Sequence, residues 1–209
     1  MGRELEYKDW FDGRKAVIFD LDGTLYNERD YLSAAWLGIG RDLEKKQGIS
    51  EKRVYQFLEE EFLLHGHRAL FNKLITEFEL PPAYLSEALE ILRNIEITGK
   101  ITCYPEMTAC MEWLISQGRQ LFIVTNGNPV QQKNKIKSIE FGTLLNHIDV
   151  IYANEIVPKP DPAVFLHLQK KYQLLNEEVL MIGDSPTDES FCQAAGIDFI
   201  HARKILSRL

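Results

Sequence analysis

Asp20 and Asp22 stand two residues apart, where the short apolar run Ala16-Val17-Ile18-Phe19 gives way to a Gly23-Thr24 turn. A run of that kind reads as a buried strand, and unpaired carboxylates at its mouth are costly. The uses that compensate such a cost are a metal ion held by carboxylate oxygens and acid–base or nucleophilic chemistry. A strand-to-turn junction with Asx-type hydrogen bonds explains the same residues without any chemistry.

Three later segments bear on that choice. Thr125-Asn126-Gly127 ends a second apolar run and combines a hydroxyl, an amide and a flexible backbone, which suits a phosphate or carboxylate cradle. A strand-to-helix turn capped by Asn128 accounts for it equally well. Lys159 lies between Pro158 and Pro160 on a stretch that cannot be helical. It is either a solvated surface charge or a rigidly presented cation that neutralises a substrate phosphate. Gly183-Asp184-Ser185-Pro186-Thr187-Asp188 again places a carboxylate at the end of an apolar run, with a second one four residues on. Asp188 alone could serve a helix N-terminus. Asp184 repeats the strand-end placement of Asp20.

The elements that must position these groups are legible. Strands are expected at 15–20, 120–125, 148–152, 179–182 and 197–200, the last four separated by helical patterns in the βαβ rhythm of a parallel sheet. Asn128-Pro129, Asp161-Pro162 and Ser185-Pro186 each pair a capping residue with proline at the first helical position. Gly118 and Gly196 mark helix ends after 106–117 and 186–195.

From 28 to 98 the pattern is helical throughout. Ala35, Trp36, Ile39 and Leu43 share one face, as do Val54, Phe57, Leu58 and Phe62, and Leu85, Ala88, Leu89 and Leu92. Gly48, Gly66 and Pro81-Pro82 separate them. The expected organisation is an α/β core of 1–27 and 99–209 with an all-helical cap of 28–98 inserted after the first strand. The polar cap candidates are Arg41, His65, His67 and Arg68. The His65-Gly66-His67-Arg68 stretch falls in a break between helices, where solvated loop residues are an equally good reading.

Bulk composition narrows the function classes. The 209 residues are 45% hydrophobic and 26% charged, as in ordinary soluble proteins. A net charge of −7 argues against general nucleic-acid binding, which wants a basic face. Cys103, Cys110 and Cys192 have no metal-type spacing and read as inert thiols in a reducing compartment. Met1 to Glu6 lacks an apolar signal-peptide core and the Ser or Thr a myristoylation signal needs, and no run approaches membrane-spanning length. The expectation is a cytoplasmic chain with no membrane or nucleic-acid partner, a monomer or homodimer.

Taken together, Asp20-x-Asp22-x-Thr24, Thr125, Lys159 and Gly183-Asp184-x-x-x-Asp188 resemble the four ordered motifs of the haloacid dehalogenase-like (HAD) superfamily. The insertion resembles the helical cap of members that carry it after the first motif. The resemblance implies a Rossmann-like parallel sheet of order 3-2-1-4-5, with the motifs at carboxyl ends of strands, where open α/β sheets bind ligands. It implies Asp20 as nucleophile, Asp22 as general acid and base, and Thr125, Asn126 and Lys159 around a transferring phosphoryl group. It further implies Mg²⁺ held by the Asp20 and Asp184 carboxylates and the Asp22 carbonyl, with Asp188 in support. The substrate class implied is a small phosphorylated metabolite such as a sugar phosphate or nucleotide. Leu25-Tyr26-Asn27-Glu28 departs from the commoner pattern, a difference expected to touch no catalytic group.

Three rival functions share the fold. A 2-haloacid dehalogenase needs neither a metal nor an acid at the second position, and Asp22 with a full acidic set speaks against it. A phosphomutase shares every core residue and differs in what surrounds the substrate. A non-catalytic binding protein usually loses a nucleophile or metal ligand, and none is lost here.

Overall fold

The computed structural model describes residues 9–97 and 100–206. The reading of Met1 to Glu6, and the expected boundary at 98 and 99, fall outside the described residues. Strand β1 (Ala16–Phe19) is buried along its whole length. It pairs in parallel with β2 (Gln120–Thr125) on one side and β4 (Val179–Gly183) on the other. β3 (Ile148–Tyr152) and β5 (Asp198–His201) complete a five-stranded parallel sheet of order β3-β2-β1-β4-β5. Strands covered on both faces need continuous apolar runs, and β1 and Val179-Leu180-Met181-Ile182 supply them. Asp149 and Asp198 are tolerated because β3 and β5 are edge strands. Expected and observed ends coincide for β2 and β3 and differ by at most one residue elsewhere, the usual uncertainty of a terminus.

Helices α1 (Glu28–Gln47), α2 (Glu51–His65), α3 (Leu70–Glu77) and α4 (Tyr84–Asn94) form the insertion after β1. Further α-helices are α5 (Pro105–Ser116), α6 (Pro129–Ser138), α7 (Ala163–Tyr172), α8 (Pro186–Ala195) and α9 (Arg203–Leu206). The expected capping side chains each accept a backbone N–H from the chain that follows. Asn128 Oδ1 accepts from the Val130 N–H at 3.0 Å, and Asp161 Oδ1 from the Ala163 N–H at 2.9 Å. The helix after Asp161 begins one residue later than expected, with Pro162 in the capping position. Gly196 closes α8 in the left-handed conformation at φ 67°. Among the described residues, no helix is long and apolar enough to cross a membrane.

The chain divides into two compact units, Met1–Asn27 with Ile101–Gln132 and Ile139–Leu209, and Glu28–Lys100 with Lys133–Ser138. In the first, Ile18, Phe122, Val124 and Met181 of the sheet pack with Val164, Phe165 and Leu168 of α7 and Phe191, Cys192 and Ala195 of α8. This fixes the strand ends relative to one another, and so the groups they carry. In the second, Trp36, Ile39 and Leu43 of α1 pack with Val54 and Leu58 of α2 and with Tyr84 and Ala88 of α4. The Trp36 ring lies 5.5 Å from Phe62 and 6.0 Å from Tyr55. The periodicities of the first two helices therefore mark real packing faces, with Phe57 and Phe62 at their half-buried margins. On α4 the packed face is Tyr84, Ala88, Ile91 and Leu92, and the expected Leu85 and Leu89 are only half-buried.

Candidate active site

Asp20 follows β1 directly, its N–H still donating to the Ile182 carbonyl of β4 at 2.9 Å. Asp20 is buried, at 8% exposure. The Lys159 ammonium donates to Asp20 Oδ1 and to Asp188 Oδ1, both at 2.6 Å, and to the Val124 carbonyl at 2.9 Å. All three donors of the ammonium are thus used, and Lys159 is 4% exposed. The solvated-surface reading of this lysine does not hold. Its backbone is gripped from the β2 side: the Asn126 amide donates to the Lys159 carbonyl at 2.8 Å and accepts from its N–H at 2.9 Å. The Asn126 side chain is therefore spent on placing Lys159.

Asp188 is 1% exposed and both its oxygens are engaged. Oδ1 takes the lysine, while Oδ2 accepts from the Ser185 N–H at 3.1 Å and the Ser185 hydroxyl at 2.6 Å. The Ser185 hydroxyl in turn accepts from the Asp188 N–H at 3.2 Å, closing a capping box on α8. Two glycines make the crowding possible. A Cβ on Gly23, which has φ 74°, would lie 2.3 Å from Asp184 Oδ2, and one on Gly183 would lie 2.7 Å from the Asp188 carboxyl carbon. Asp184 Oδ1 also accepts from the buried Thr24 hydroxyl at 3.3 Å. Thr125 is buried at the end of β2.

Asp22 is held differently. The Tyr26 hydroxyl donates to its Oδ1 at 2.5 Å, and the Gln132 amide nitrogen donates to its Oδ2 at 3.1 Å. The expectation that the Leu25-Tyr26-Asn27-Glu28 departure touches no catalytic candidate is corrected: a one-turn return of the backbone brings Tyr26 onto Asp22. Sequence reasoning also missed Gln132, because a glutamine in the first turn of a helix reads as solvated surface.

Burial pushes the Asp20 pKa up to about 7, the Lys159 charge opposing that rise and Asp188 and Asp22 adding to it. Burial also works against the Lys159 ammonium, but the charges of Asp20 and Asp188 outweigh it and keep its pKa above the ordinary lysine value. The site holds Asp20, Asp22, Asp184 and Asp188 against one ammonium, an excess of negative charge that calls for a further cation. Carboxylate oxygens of Asp20, Asp184 and Asp188 lie within 4.8 Å of one another. An all-oxygen set without Cys or His suits a hard ion such as Mg²⁺. The residues present fit the metal.

Asp20 must be ionised to bind that ion, so protons and metal compete for it. With a pKa near 7, the ionised fraction falls about tenfold between pH 8 and pH 6. Mg²⁺ is expected to bind about tenfold more tightly at pH 8 than at pH 6. Calorimetric titration at the two values checks this, and equal affinities would contradict the raised Asp20 pKa.

The remaining candidates lie in the helical unit. His67 Nε2 sits 2.9 Å from Glu28 Oε2, whose other oxygen lies 3.3 Å from Lys135 Nζ. His65 is 3.8 Å from Glu61, Arg41 is 3.5 Å from Glu51, and Arg68 is exposed in the turn before α3. The two histidines thus face different carboxylates. The three cysteines are buried, and burial pushes their thiols up to about 12, as inert groups require.

The chain is similar to known phosphatases in sequence and fold. A phosphoglycolate phosphatase of Cereibacter sphaeroides is 30% identical, over 88% of this chain and 82% of its own length. A glyceraldehyde 3-phosphate phosphatase of Pyrococcus abyssi is 28% identical, over 81% of this chain and 73% of its own. The crystal structure of a HAD phosphatase from Thermococcus onnurineus superposes with a TM-score of 0.56 at 27% identity, covering 88% of this chain and 84% of that one. The family model for the haloacid dehalogenase-like hydrolase matches residues 14–196, and the chain belongs to that family.

Proposed function

We propose that this hydrolase is a Mg²⁺-dependent phosphatase that cleaves a small phosphorylated metabolite through an aspartyl-phosphate on Asp20. The observation that carries the reading is the Asp20–Lys159–Asp188 array at the carboxyl ends of the parallel strands. Relatives named for phosphoglycolate and glyceraldehyde 3-phosphate support the substrate class, in which sugar phosphates and nucleotides are further members.

A carboxylate oxygen of Asp20 attacks phosphorus in line as the bond to the leaving oxygen breaks, dividing one hard displacement into two. The leaving alkoxide takes a proton from Asp22. Water then attacks the phosphoryl group, its proton passing to Asp22, and Asp20 is regenerated with release of phosphate. Lys159, whose charge Asp20 and Asp188 share, offsets the negative charge gathering on the phosphoryl oxygens, with Thr125 and the backbone N–H groups of Leu21 to Gly23 and Asn126 as further donors. Mg²⁺, when held by Asp20, Asp184 and the Asp22 carbonyl, supplies charge neutralisation between nucleophile and phosphate. Asp188 acts in support, by holding Lys159. The helical insertion of 28–98 acts as the cap that selects substrates, with Arg41, His65, His67 and Arg68 as candidate contacts. The cytoplasmic location is supported by the three buried free thiols.

Turnover of a panel of phosphorylated metabolites with Mg²⁺, read both as phosphate release and as isomer formation, tests this function. The expected result is phosphate release on small phosphomonoesters that is abolished by exhaustive chelation. Isomer formation without phosphate release would assign a mutase, and full activity after chelation would remove the metal.

A further inference from the structure

We infer that Tyr26 and Gln132 are positioning residues that together set the Asp22 carboxyl for proton transfer, an inference that rests on Asp22 being the acid–base group. A carboxyl held by one hydrogen bond still swings about its two side-chain torsions. Asp22 is held at both oxygens by donors from different parts of the chain: the Tyr26 hydroxyl at 2.5 Å and the Gln132 amide at 3.1 Å. Two such contacts fix both the place and the plane of the group, which proton transfer over hydrogen-bond distance demands.

Both holders are themselves held. Tyr26 is fully buried, and its carbonyl accepts from the Gly23 N–H at 3.2 Å, so the turn that starts after Asp22 also seats the ring. Gln132 is 3% exposed, and the nitrogen that reaches Asp22 also donates to the Asn126 carbonyl at 2.6 Å. Both neighbours of that nitrogen are acceptors, so the opposite amide orientation would set oxygen against oxygen. Gly127, at φ 118°, leaves the space: a Cβ there would lie 2.7 Å from the Gln132 nitrogen.

Packing does not explain a glutamine at this place. Its Oε1 is buried without a hydrogen-bond partner among the described residues, a cost that leucine of similar size would avoid. The amide ties the Asp22 turn to Asn126, which follows Thr125 at the end of β2 and grips Lys159. Nor is a buried hydroxyl needed to fill the Tyr26 space, which phenylalanine would fill as well. A hydroxyl donates to a carboxylate and accepts from a carboxylic acid, so one contact holds Asp22 before and after a proton passes through it.

The test uses Tyr26→Phe and Gln132→Leu, singly and together, in the wild-type and Asp22→Asn backgrounds. kcat/KM is measured on p-nitrophenyl phosphate and on glycerol 3-phosphate, or the best alkyl phosphate of the panel. kcat/KM reads the steps through departure of the leaving group, and only the alkyl oxygen needs the proton. Each substitution is expected to lower the alkyl value about 10-fold to 100-fold, the scale of a misplaced catalytic group. The aryl value should hold within about twofold, and neither change should add to Asp22→Asn. The ratio of the two substrates is independent of the folded fraction, so a general loss of stability does not imitate the result. Equal losses on both substrates, or losses that add to Asp22→Asn, would overturn the inference while leaving Asp22 in place. An Asp22→Asn enzyme with normal alkyl turnover would instead overturn the acid–base reading, and this inference with it.

Discussion

Asp20→Asn is expected to abolish turnover, with a loss of about 10⁴-fold or more, the scale seen when a nucleophile is removed. In the proposed function it also removes an anionic metal ligand, so Mg²⁺ affinity should fall with activity. Asp22→Asn should behave differently. Its backbone carbonyl stays in place, so metal binding should survive while alkyl phosphate turnover falls about 10²–10⁴-fold. The loss should be smaller for an aryl phosphate, whose leaving group needs less protonation. Mg²⁺ titration by calorimetry, with turnover of both substrates, separates the two variants. Loss of metal binding in both, or in neither, would contradict the assignment of separate roles.

Lys159→Met is expected to have the largest effect on stability of any single substitution in the site. The ammonium lies 2.6 Å from each of two buried carboxylates, so its removal leaves both without a counter-charge. Breaking a buried pair in this way costs about 3–5 kcal/mol, a drop in melting temperature of about 10 °C for a chain of this size. The sign of the pH dependence follows from Asp20, whose folded pKa is already raised to about 7. A carboxyl with a raised folded pKa disfavours the folded state most above that value, and the penalty disappears as pH falls towards the unfolded value. Without the Lys159 charge the Asp20 pKa rises further, so the cost of Lys159→Met relative to wild type should be largest at alkaline pH and shrink as pH falls towards 7, and Mg²⁺ should recover part of the loss. Thermal melts across pH, with and without Mg²⁺, check this. A variant as stable as wild type at pH 8 would contradict the buried ion-pair array.

The sheet was readable because buried parallel strands must be continuous apolar runs, and the chain writes them plainly between well-marked caps. Asp20 and Asp184 were readable for the same reason, since a carboxylate closing such a run has few uses. The exact partners were not. Two flanking prolines showed that Lys159 sits on a non-helical stretch, but burial depends on where that stretch lands, 139 residues from Asp20. The grip of the Asn126 side chain on the Lys159 backbone, 33 residues away, has no signal in the spacing either. The Tyr26 contact depends on a turn geometry that spacing does not specify, and Gln132 reaches Asp22 across 110 residues. Contacts of that range arise from the assembled sheet, and a glutamine carries no periodic signal that would announce one.

The central claim is that Asp20 carries the phosphoryl group during turnover. Wild-type enzyme mixed with its best substrate and Mg²⁺, quenched rapidly in acid and mapped by peptide mass, tests it directly. The expected result is a hydroxylamine-labile phosphoryl adduct on the peptide containing Asp20, formed within the first turnover and absent from Asp20→Asn. Full turnover with no adduct on that peptide, or an adduct that persists in Asp20→Asn, would contradict it.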